Sequence, residues 1–444
     1  MTDSAISETL PPQAAAPLGL RARVQRFRAS HHSRILGGSL VMLVSSAVVA
    51  GVNFAYNVHV AQRLGPAQFG HVATSVSLLL LASALTLSFQ IVCAKYVARS
   101  DSAAARTAVY RRLRLRAWQV SAVLGALLVA LSLPLTRFLR FPTVWIMLLM
   151  AAGIAFYVPL GVKRGIFQGT CAFPRLAANY SIEAVAKFLL AVALVWKFGA
   201  LGAVVAIVLS VVTAYFLPRP QAMFRGDAAP CPPLSAGEGR QAIVFFVGQV
   251  VIMNTDLIMV KHLFPADRAG QYAAVALVGR VLFYASWSVI AAMFPVTAEA
   301  SSKDGVAQKT SRTLVAVPMA LVLAMFLGFL GVLQLFPAAV MRTLFGPGFH
   351  EAEPLLGLYA ANTAIYALAV VLMAYEMSRR IANTGWLQLL FAGLVVAGVA
   401  LFHDTLRQVI TVLVVLMSLL LVTVAVPFFR RVPPARHIPL AEAA

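Results

Sequence analysis

Acidic residues are scarce in this sequence, which has 15 Asp and Glu against 36 Lys and Arg. Charged residues of both signs make up only 11% of the chain, whereas hydrophobic residues make up 61% and the mean hydropathy is +0.85. This composition excludes an ordinary water-soluble domain, because too few polar residues remain to cover its surface. The sequence also lacks a glycine- and lysine-containing loop that would cradle phosphates, which argues against a nucleotide-binding domain.

Cysteine is rarer still than the acidic residues. The three cysteines, Cys93, Cys171 and Cys231, are odd in number and show no metal-ligand spacing. They therefore predict neither a disulfide framework nor a metal site. Nothing else in the sequence indicates a cofactor, and no cofactor is expected.

Long apolar runs dominate what is present, and twelve of them are long enough to cross a membrane, since a hydrocarbon core about 30 Å thick needs roughly 20 helical residues. Six lie in the first half of the chain, near residues 35–58, 68–94, 117–136, 144–162, 178–196 and 199–217. The other six lie near residues 241–262, 270–297, 313–336, 354–376, 384–402 and 408–429. The predicted fold class is all-α, a polytopic membrane protein with about 12 transmembrane helices in two six-helix lobes.

The predicted domain boundaries follow from these runs. A basic tail occupies residues 1–34, an N-terminal lobe 35–217, a proline-rich linker 218–240, a C-terminal lobe 241–429 and a second tail 430–444. Because six helices make an even number, both lobes would have the same orientation, as parallel repeats related by an axis along the membrane normal. Such an arrangement predicts a cavity between the lobes.

Positive charge is concentrated in alternate gaps between the runs. Twenty-six of the 36 Lys and Arg residues fall on the side that carries both tails, and eight fall on the other side. By the positive-inside rule both termini are predicted to be cytoplasmic. The same distribution accounts for the net charge of +21 without nucleic acid, so the predicted partner of this charge is anionic membrane lipid.

Two similar stretches mark the first hairpin of each half. Residues 64–70, Leu-Gly-Pro-Ala-Gln-Phe-Gly, and residues 263–270, Leu-Phe-Pro-Ala-Asp-Arg-Ala-Gly, match with one residue inserted. Proline and glycine suit a tight reversal between helices, so convergence on hairpin chemistry competes with duplication as the explanation. The shared ends of the fourth spans, Lys163-Arg164 and Arg379-Arg380, favour duplication.

The stretch at residues 61–70, Ala-Gln-Arg-Leu-Gly-Pro-Ala-Gln-Phe-Gly, resembles the "R-LG-P-x-x-F-G" signature of bacterial polysaccharide (O-antigen, Wzx-type) flippases. Three further segments resemble that family in the same order along the chain. They are residues 164–169, which resemble the loop after the fourth helix, residues 254–256 with 270–272, and residues 344–349. The similarity covers roughly residues 35–430.

This resemblance implies the superfamily of multidrug, oligosaccharidyl-lipid and polysaccharide exporters. It implies a bacterial inner-membrane transporter, not an enzyme, that flips a polyprenyl-pyrophosphate-linked oligosaccharide during the synthesis of cell-surface polysaccharide such as lipopolysaccharide O-antigen or exopolysaccharide. Other membrane proteins of polysaccharide assembly are implied as partners. Energy would come from ion gradients, membrane potential or consumption of the sugar after transfer.

Charged residues inside the spans are the first candidates for a site, because each costs roughly 2.5–3.5 kcal/mol at the membrane centre without a partner. Arg280 lies about ten residues, or about 15 Å, into the eighth span. Asp256 lies about 10 Å from the same outer end of the seventh span. They predict either a site in which Arg280 holds the pyrophosphate and Asp256 is its counter-ion, or a permanent salt bridge between helices. The resemblance favours the site.

Other candidates are weaker. Lys187 follows Glu183 by four residues on one helix, so the two are expected to pair with each other. Asn53 and Asn57 in the first span and Asn254 in the seventh suit sugar hydroxyls, although amides inside membranes more often join helices. Tyr284 could stack on a sugar ring or pack between lobes.

Three other functions compete. An ion-coupled multidrug antiporter of the same superfamily would need a carboxylate in the first lobe, where Glu183 is expected to be paired already. A polymerase or ligase of lipid-linked sugars would need a large outer loop, and the longest here, near residues 337–353, is short. A flippase for peptidoglycan lipid precursors usually has fourteen spans rather than twelve.

Overall fold

The computed structural model describes residues 31–220, 240–300, 307–378 and 384–429. The regular elements in these ranges are all helices. In chain order they are α1 (His31–Ala98), α2 (Ala103–Ala130), α3 (Ser132–Phe138), α4 (Trp145–Gly169), α5 (Phe173–Phe216), α6 (Arg240–Leu263), α7 (Ala266–Ala300), α8 (Ala307–Leu335), α9 (Pro337–Phe345), a 3-10 helix (Pro347–Leu355), α10 (Leu356–Ser378), α11 (Thr384–Leu401) and α12 (Leu406–Phe429). Residues 1–30, 221–239 and 430–444, which hold most of both predicted tails and of the linker, lie outside the described residues.

Nine helices in the described ranges are long and apolar enough to cross a membrane. Two of them, α1 and α5, each cover two predicted spans, because their backbones turn at Gly65 (φ 70°) and Gly199 (φ 57°). Only glycine adopts such positive φ values at little cost. Helix α7 lies where the eighth span was predicted. The prediction of an all-α, polytopic membrane fold is therefore confirmed, while the division into two lobes stays a prediction.

Two boundaries differ from the sequence prediction. Helix α2 begins at Ala103, after Ser102 accepts a hydrogen bond from the Ala105 amide, so the arginine-rich segment before residue 117 is helical rather than a loop. Helix α4 continues to Gly169 instead of ending near residue 162. The sequence prediction ended α4 too early because it took the first charged residues as the end of the helix.

Helix α4 packs against the second arm of α1 through three glycines spaced four residues apart. A Cβ atom added to Gly161 would lie 2.2 Å from the carbonyl oxygen of Thr86, and one added to Gly165 would lie 2.6 Å from the Cβ of Cys93. A Cβ atom at Gly169 would lie 2.6 Å from the carbonyl oxygen of another α1 residue. Small residues at this spacing let membrane helices approach closely.

Replacing Gly165 by Ala should therefore destabilise the protein by about 1–3 kcal/mol, the usual cost of overpacking a tight contact. Thermal unfolding of the purified protein in detergent would measure this. The matched control is Gly393→Ala in α11, where an added Cβ meets nothing within 4 Å. Equal unfolding temperatures for the two variants would contradict the close packing of α1 on α4.

The two halves of the chain meet where the similar hairpins lie. A Cβ atom on Gly270 would stand 1.8 Å from the carbonyl oxygen of Pro66, and one on Gly70 would stand 3.0 Å from that of Ala266. The two stretches that look alike in the sequence thus pack against each other. We call the contact formed by residues 62–71, 138–141, 261–271 and 343–349 the hairpin junction.

Side chains add to the hairpin junction. Phe69 lies with its ring centroid 6.2 Å from that of Phe345 and 6.0 Å from that of Phe349. Gln62 donates to the carbonyl oxygens of Thr343 at 3.2 Å and Leu344 at 3.0 Å. The contacts across the halves are therefore apolar rings and backbone carbonyls, with no charge pair among them in the described ranges.

Candidate functional site

Helices α6 and α7 bring together the two charged residues that the sequence placed at similar depth. A guanidinium nitrogen of Arg280, Nη2, lies 2.8 Å from Oδ1 of Asp256, and the two side chains are 10% and 5% exposed. The hairpin between the helices is short, so residues near its two arms come into register. The predicted proximity of these residues is thus confirmed, whereas a role in binding stays a prediction.

Two tyrosines complete this cluster, and sequence reasoning missed both. The hydroxyl groups of Tyr272 on α7 and Tyr359 on α10 each donate to Oδ2 of Asp256 at 2.8 Å. Their rings meet edge to face with centroids 5.7 Å apart. Tyr272 lies two residues after Gly270 in a quoted motif and could have been named, but no sequence signal connects Tyr359 to Asp256 across 103 residues.

The carboxylate of Asp256 thus accepts three hydrogen bonds, one of them from a cation, and the cluster is close to neutral overall. A buried carboxylate needs such compensation, because an isolated charge in a low-dielectric interior is very costly. Arg280 is satisfied less fully, since its Nε atom is buried and has no hydrogen-bond partner in the described structure. A guanidinium with a spare donor can bind a further acceptor, and oxygens of phosphate suit it best.

A small cavity of about 30 Å³ lies beside Asp256. It is lined by Tyr359, Asn362, Thr363 and Tyr366 together with apolar side chains of α6 and α12. The Oδ1 atom of Asn362 and the hydroxyl of Tyr366 have no partner in the described structure. The cavity has room for roughly two water molecules, so this conformation does not enclose a sugar-sized ligand there.

The amides proposed as sugar contacts turn back on their own helices. Asn57 donates to the carbonyl oxygen of Asn53, and Asn254 donates to that of Val250, each at 2.8 Å. The Oδ1 atoms of Asn53 and Asn254 are buried without a partner in the described structure. In the described structure neither Asn53 nor Asn254 forms a side-chain hydrogen bond to another helix, so the Oδ1 atom of each can accept one from another group. Tyr284 is 54% exposed.

The expected pairing of Glu183 with Lys187 is wrong. Glu183 forms its ion pair with Arg164, whose Nε also donates to Oδ1 of Asn179 at 2.8 Å and whose Cζ lies 3.9 Å from the ring centroid of Tyr180. The sequence predicts a loop at Arg164, but the structure buries this residue in α4. Its side chain contacts Asn179 and Glu183, which lie on one face of α5. A planar guanidinium held by packing outcompetes a flexible lysine one turn away.

Lys187 instead stands over an aromatic ring, with its Nζ 5.0 Å from the ring centroid of Tyr56. It forms no ion pair with any residue that the structure describes. Lys163, beside Arg164, donates to the carbonyl oxygens of Ala214 at 2.9 Å and Tyr215 at 2.7 Å. It thereby caps the C-terminal end of α5, where cations are favoured.

Among the described residues, each half therefore contains one arginine–carboxylate pair between consecutive long helices. Arg164 and Glu183 join α4 to α5, and Arg280 and Asp256 join α7 to α6. Within the described part of the chain, no group of three or more His, Cys, Asp or Glu side chains could hold a metal ion.

No family model and no curated protein matches this sequence. Solved structures do match. A multidrug resistance MATE family transporter of the MOP superfamily in its inward-facing conformation has a TM-score of 0.72 at 14% identity, covering 88% of this chain and 96% of that one. An outward-facing MATE transporter gives 0.57 at 13% identity, covering 88% and 93%. A MOP superfamily transporter from Pyrococcus furiosus, described as having a binding pocket of reverse polarity, gives 0.60 at 14% identity, covering 88% and 94%. The chain is thus a multi-pass membrane protein with the fold of the MATE transporters of the MOP superfamily.

Proposed function

We propose that this protein is an alternating-access flippase that moves a polyprenyl-pyrophosphate-linked oligosaccharide across the bacterial inner membrane, with both termini in the cytoplasm. The observation that carries the proposal is the sign of the interior charge. Asp256 and Glu183 each form an ion pair with an arginine, while Lys187 forms no ion pair in the described structure and has only a longer-range interaction with Glu183. An interior with excess positive charge suits an anionic headgroup such as pyrophosphate.

The arrangement of the halves supports alternating access. Their contacts at the hairpin junction close one end of the molecule, and the positive-inside rule assigns that end to the outer face. The higher similarity to the inward-facing than to the outward-facing MATE transporter, 0.72 against 0.57, supports the same assignment. Transfer then requires the hairpin junction to open while the opposite end closes.

Ion-coupled drug export is the second candidate function. The observation that supports it is the fold, which this chain shares with a multidrug resistance MATE transporter. The two functions differ in the sign of the substrate's charge, which the interior of the protein must bind. Drug antiporters that take cationic compounds need free carboxylates, whereas Glu183 on α5 and Asp256 on α6 are neutralised here. Another buried acid, Glu376, lies two residues before the end of α10, away from these pairs along the chain. For this reason we favour the flippase.

Lipid analysis of a strain that lacks this protein tests the proposal. We expect polyprenyl-pyrophosphate oligosaccharide to accumulate on the cytoplasmic face and to be cleared when the wild-type protein is restored. Lys187→Met should restore clearance poorly, since it removes the unpaired interior cation. The matched control, Lys197→Met, removes an exposed lysine from the same helix and should behave as wild type. Normal lipids with altered drug sensitivity would instead favour the antiporter.

A further inference from the structure

Three basic residues from both halves of the chain lie in the hairpin junction. Lys261 lies near the C-terminal end of α6, His71 follows Gly70 in α1, and Arg140 follows α3. None of them belongs to the arginine–carboxylate clusters described above. We propose that Lys261, His71 and Arg140 form a binding site for a small inorganic anion, such as chloride or phosphate, which bridges the halves while the hairpin junction is closed.

Burial is the first evidence. Lys261 is 0% exposed, and its Nζ atom has no hydrogen-bond partner in the described structure. His71 is 8% exposed, and its Nδ1 atom is likewise buried without a partner. Buried polar groups in folded proteins nearly always have partners, so an unpartnered ammonium indicates that an ion or water belongs there.

Proximity is the second. Lys261 precedes His262 and Arg140 lies two residues after Phe138, so the contact of His262 with Phe138 brings the two basic positions together. Two ring contacts bring the segments together, since the His71 ring lies 5.9 Å from that of Phe141 and the His262 ring stacks on Phe138 at 3.9 Å. His262 also contacts the carbonyl oxygen of Phe138 through Nδ1 at 2.7 Å. The contact of His262 with Phe138 therefore joins the two halves, and the contact of His71 with Phe141 adds His71 to the same place within the first half.

Charge is the third. Lys261 forms no ion pair with any described carboxylate, and Asp267, on the first turn of α7, is exposed. Arg140 follows the end of α3 with a backbone φ of 48°, a left-handed conformation that is unfavourable for arginine. Arg140 is exposed, so its charge acts from the surface on the buried Lys261 ammonium, and the two like charges repel each other. An anion between them removes this repulsion and satisfies the unpartnered nitrogen atoms.

The proposed anion site therefore stabilises the closed state of the hairpin junction. When the halves separate, Arg140 and Lys261 move apart and the anion loses one of its ligands. Anion binding thus favours the closed state, by the general rule that a ligand stabilises the state that binds it better. This inference does not depend on what the protein transports.

The test uses the full-length protein, purified in detergent without added lipid, in sodium gluconate. Adding sodium chloride or inorganic phosphate should raise the unfolding temperature of the wild type by several degrees, saturably, because a ligand that binds only the folded state stabilises it. Lys261→Met should lose this rise. The matched control Arg342→Gln removes an exposed cation near the same junction and should keep it. Equal anion responses in wild type and Lys261→Met would overturn the proposal.

A second measurement covers the case in which Lys261→Met does not fold. Spin labels at positions 63 and 350, exposed residues on opposite halves of the junction, would report its opening. In wild type, chloride or phosphate should increase the population with the shorter distance, and Arg140→Gln should weaken that response. Addition of phosphatidylglycerol in gluconate distinguishes the source: a response to lipid alone assigns the site to a headgroup and contradicts a free anion.

Discussion

Replacement of Arg280 by Ala is expected to abolish transport and to lower the free energy of unfolding by about 3–5 kcal/mol, the usual cost of breaking a buried ion pair. The loss arises because Asp256 keeps two tyrosine donors but loses the cation that pairs with it in the described structure. The protein should still insert, since the apolar runs that direct insertion are unchanged. Clearance of lipid-linked oligosaccharide in cells and unfolding in detergent measure the two effects.

A double variant separates binding from stability. Arg280→Ala combined with Asp256→Asn removes both charges, so most of the lost stability should return, because no uncompensated charge remains. Transport should not return if Arg280 binds the pyrophosphate. Recovery of both properties would show that the arginine only neutralises Asp256, and the binding role of Arg280 would then be abandoned.

Replacement of Gly270 by Ala is expected to hold the hairpin junction open. The added Cβ would lie 1.8 Å from the carbonyl oxygen of Pro66, a backbone atom that moves only if the halves separate. An overpacking cost of about 1–3 kcal/mol shifts a two-state equilibrium by about 5–150-fold. Transport should fall accordingly, and spin labels at positions 63 and 350 should report longer distances.

The control for this prediction is Gly331→Ala in α8, where an added Cβ meets nothing within 4 Å. It changes the same residue type inside a membrane helix, but it should leave both the distance and the transport rate near those of wild type. If Gly270→Ala unfolds the protein no more than this control does and leaves the junction closed, the close approach of Pro66 to Gly270 is not maintained in the membrane.

The sequence predicted the helical class and the positions of the spans because hydropathy reports burial in lipid directly. It also predicted that Asp256 and Arg280 would be neighbours, since the short hairpin between α6 and α7 fixes their relative depth. It failed for Glu183, because a spacing of four residues shows which partners are possible but not which neighbouring helix supplies a better one. Arg164 was hidden by its position at the end of an apolar run.

Contacts between distant segments account for the remaining omissions. Tyr359 reaches Asp256 only because α10 packs on α7, and hydropathy carries no information about such packing. The two similar hairpins were recognised as related, but their contact through Pro66 and Gly270 was not, because likeness between segments does not imply that they touch. The unpartnered state of Lys261 depends in the same way on atoms from both halves.

The placement of the two arginine–carboxylate pairs also bears on how the chain enters the membrane. Arg164 and Glu183 are both made before residue 220, and Asp256 and Arg280 both follow residue 240. Each arginine can therefore find its acid in a neighbouring segment soon after leaving the translocon, before the rest of the protein is synthesised. Each arginine thus has its counter-ion within its own half, which suits insertion of the two halves in succession during biogenesis.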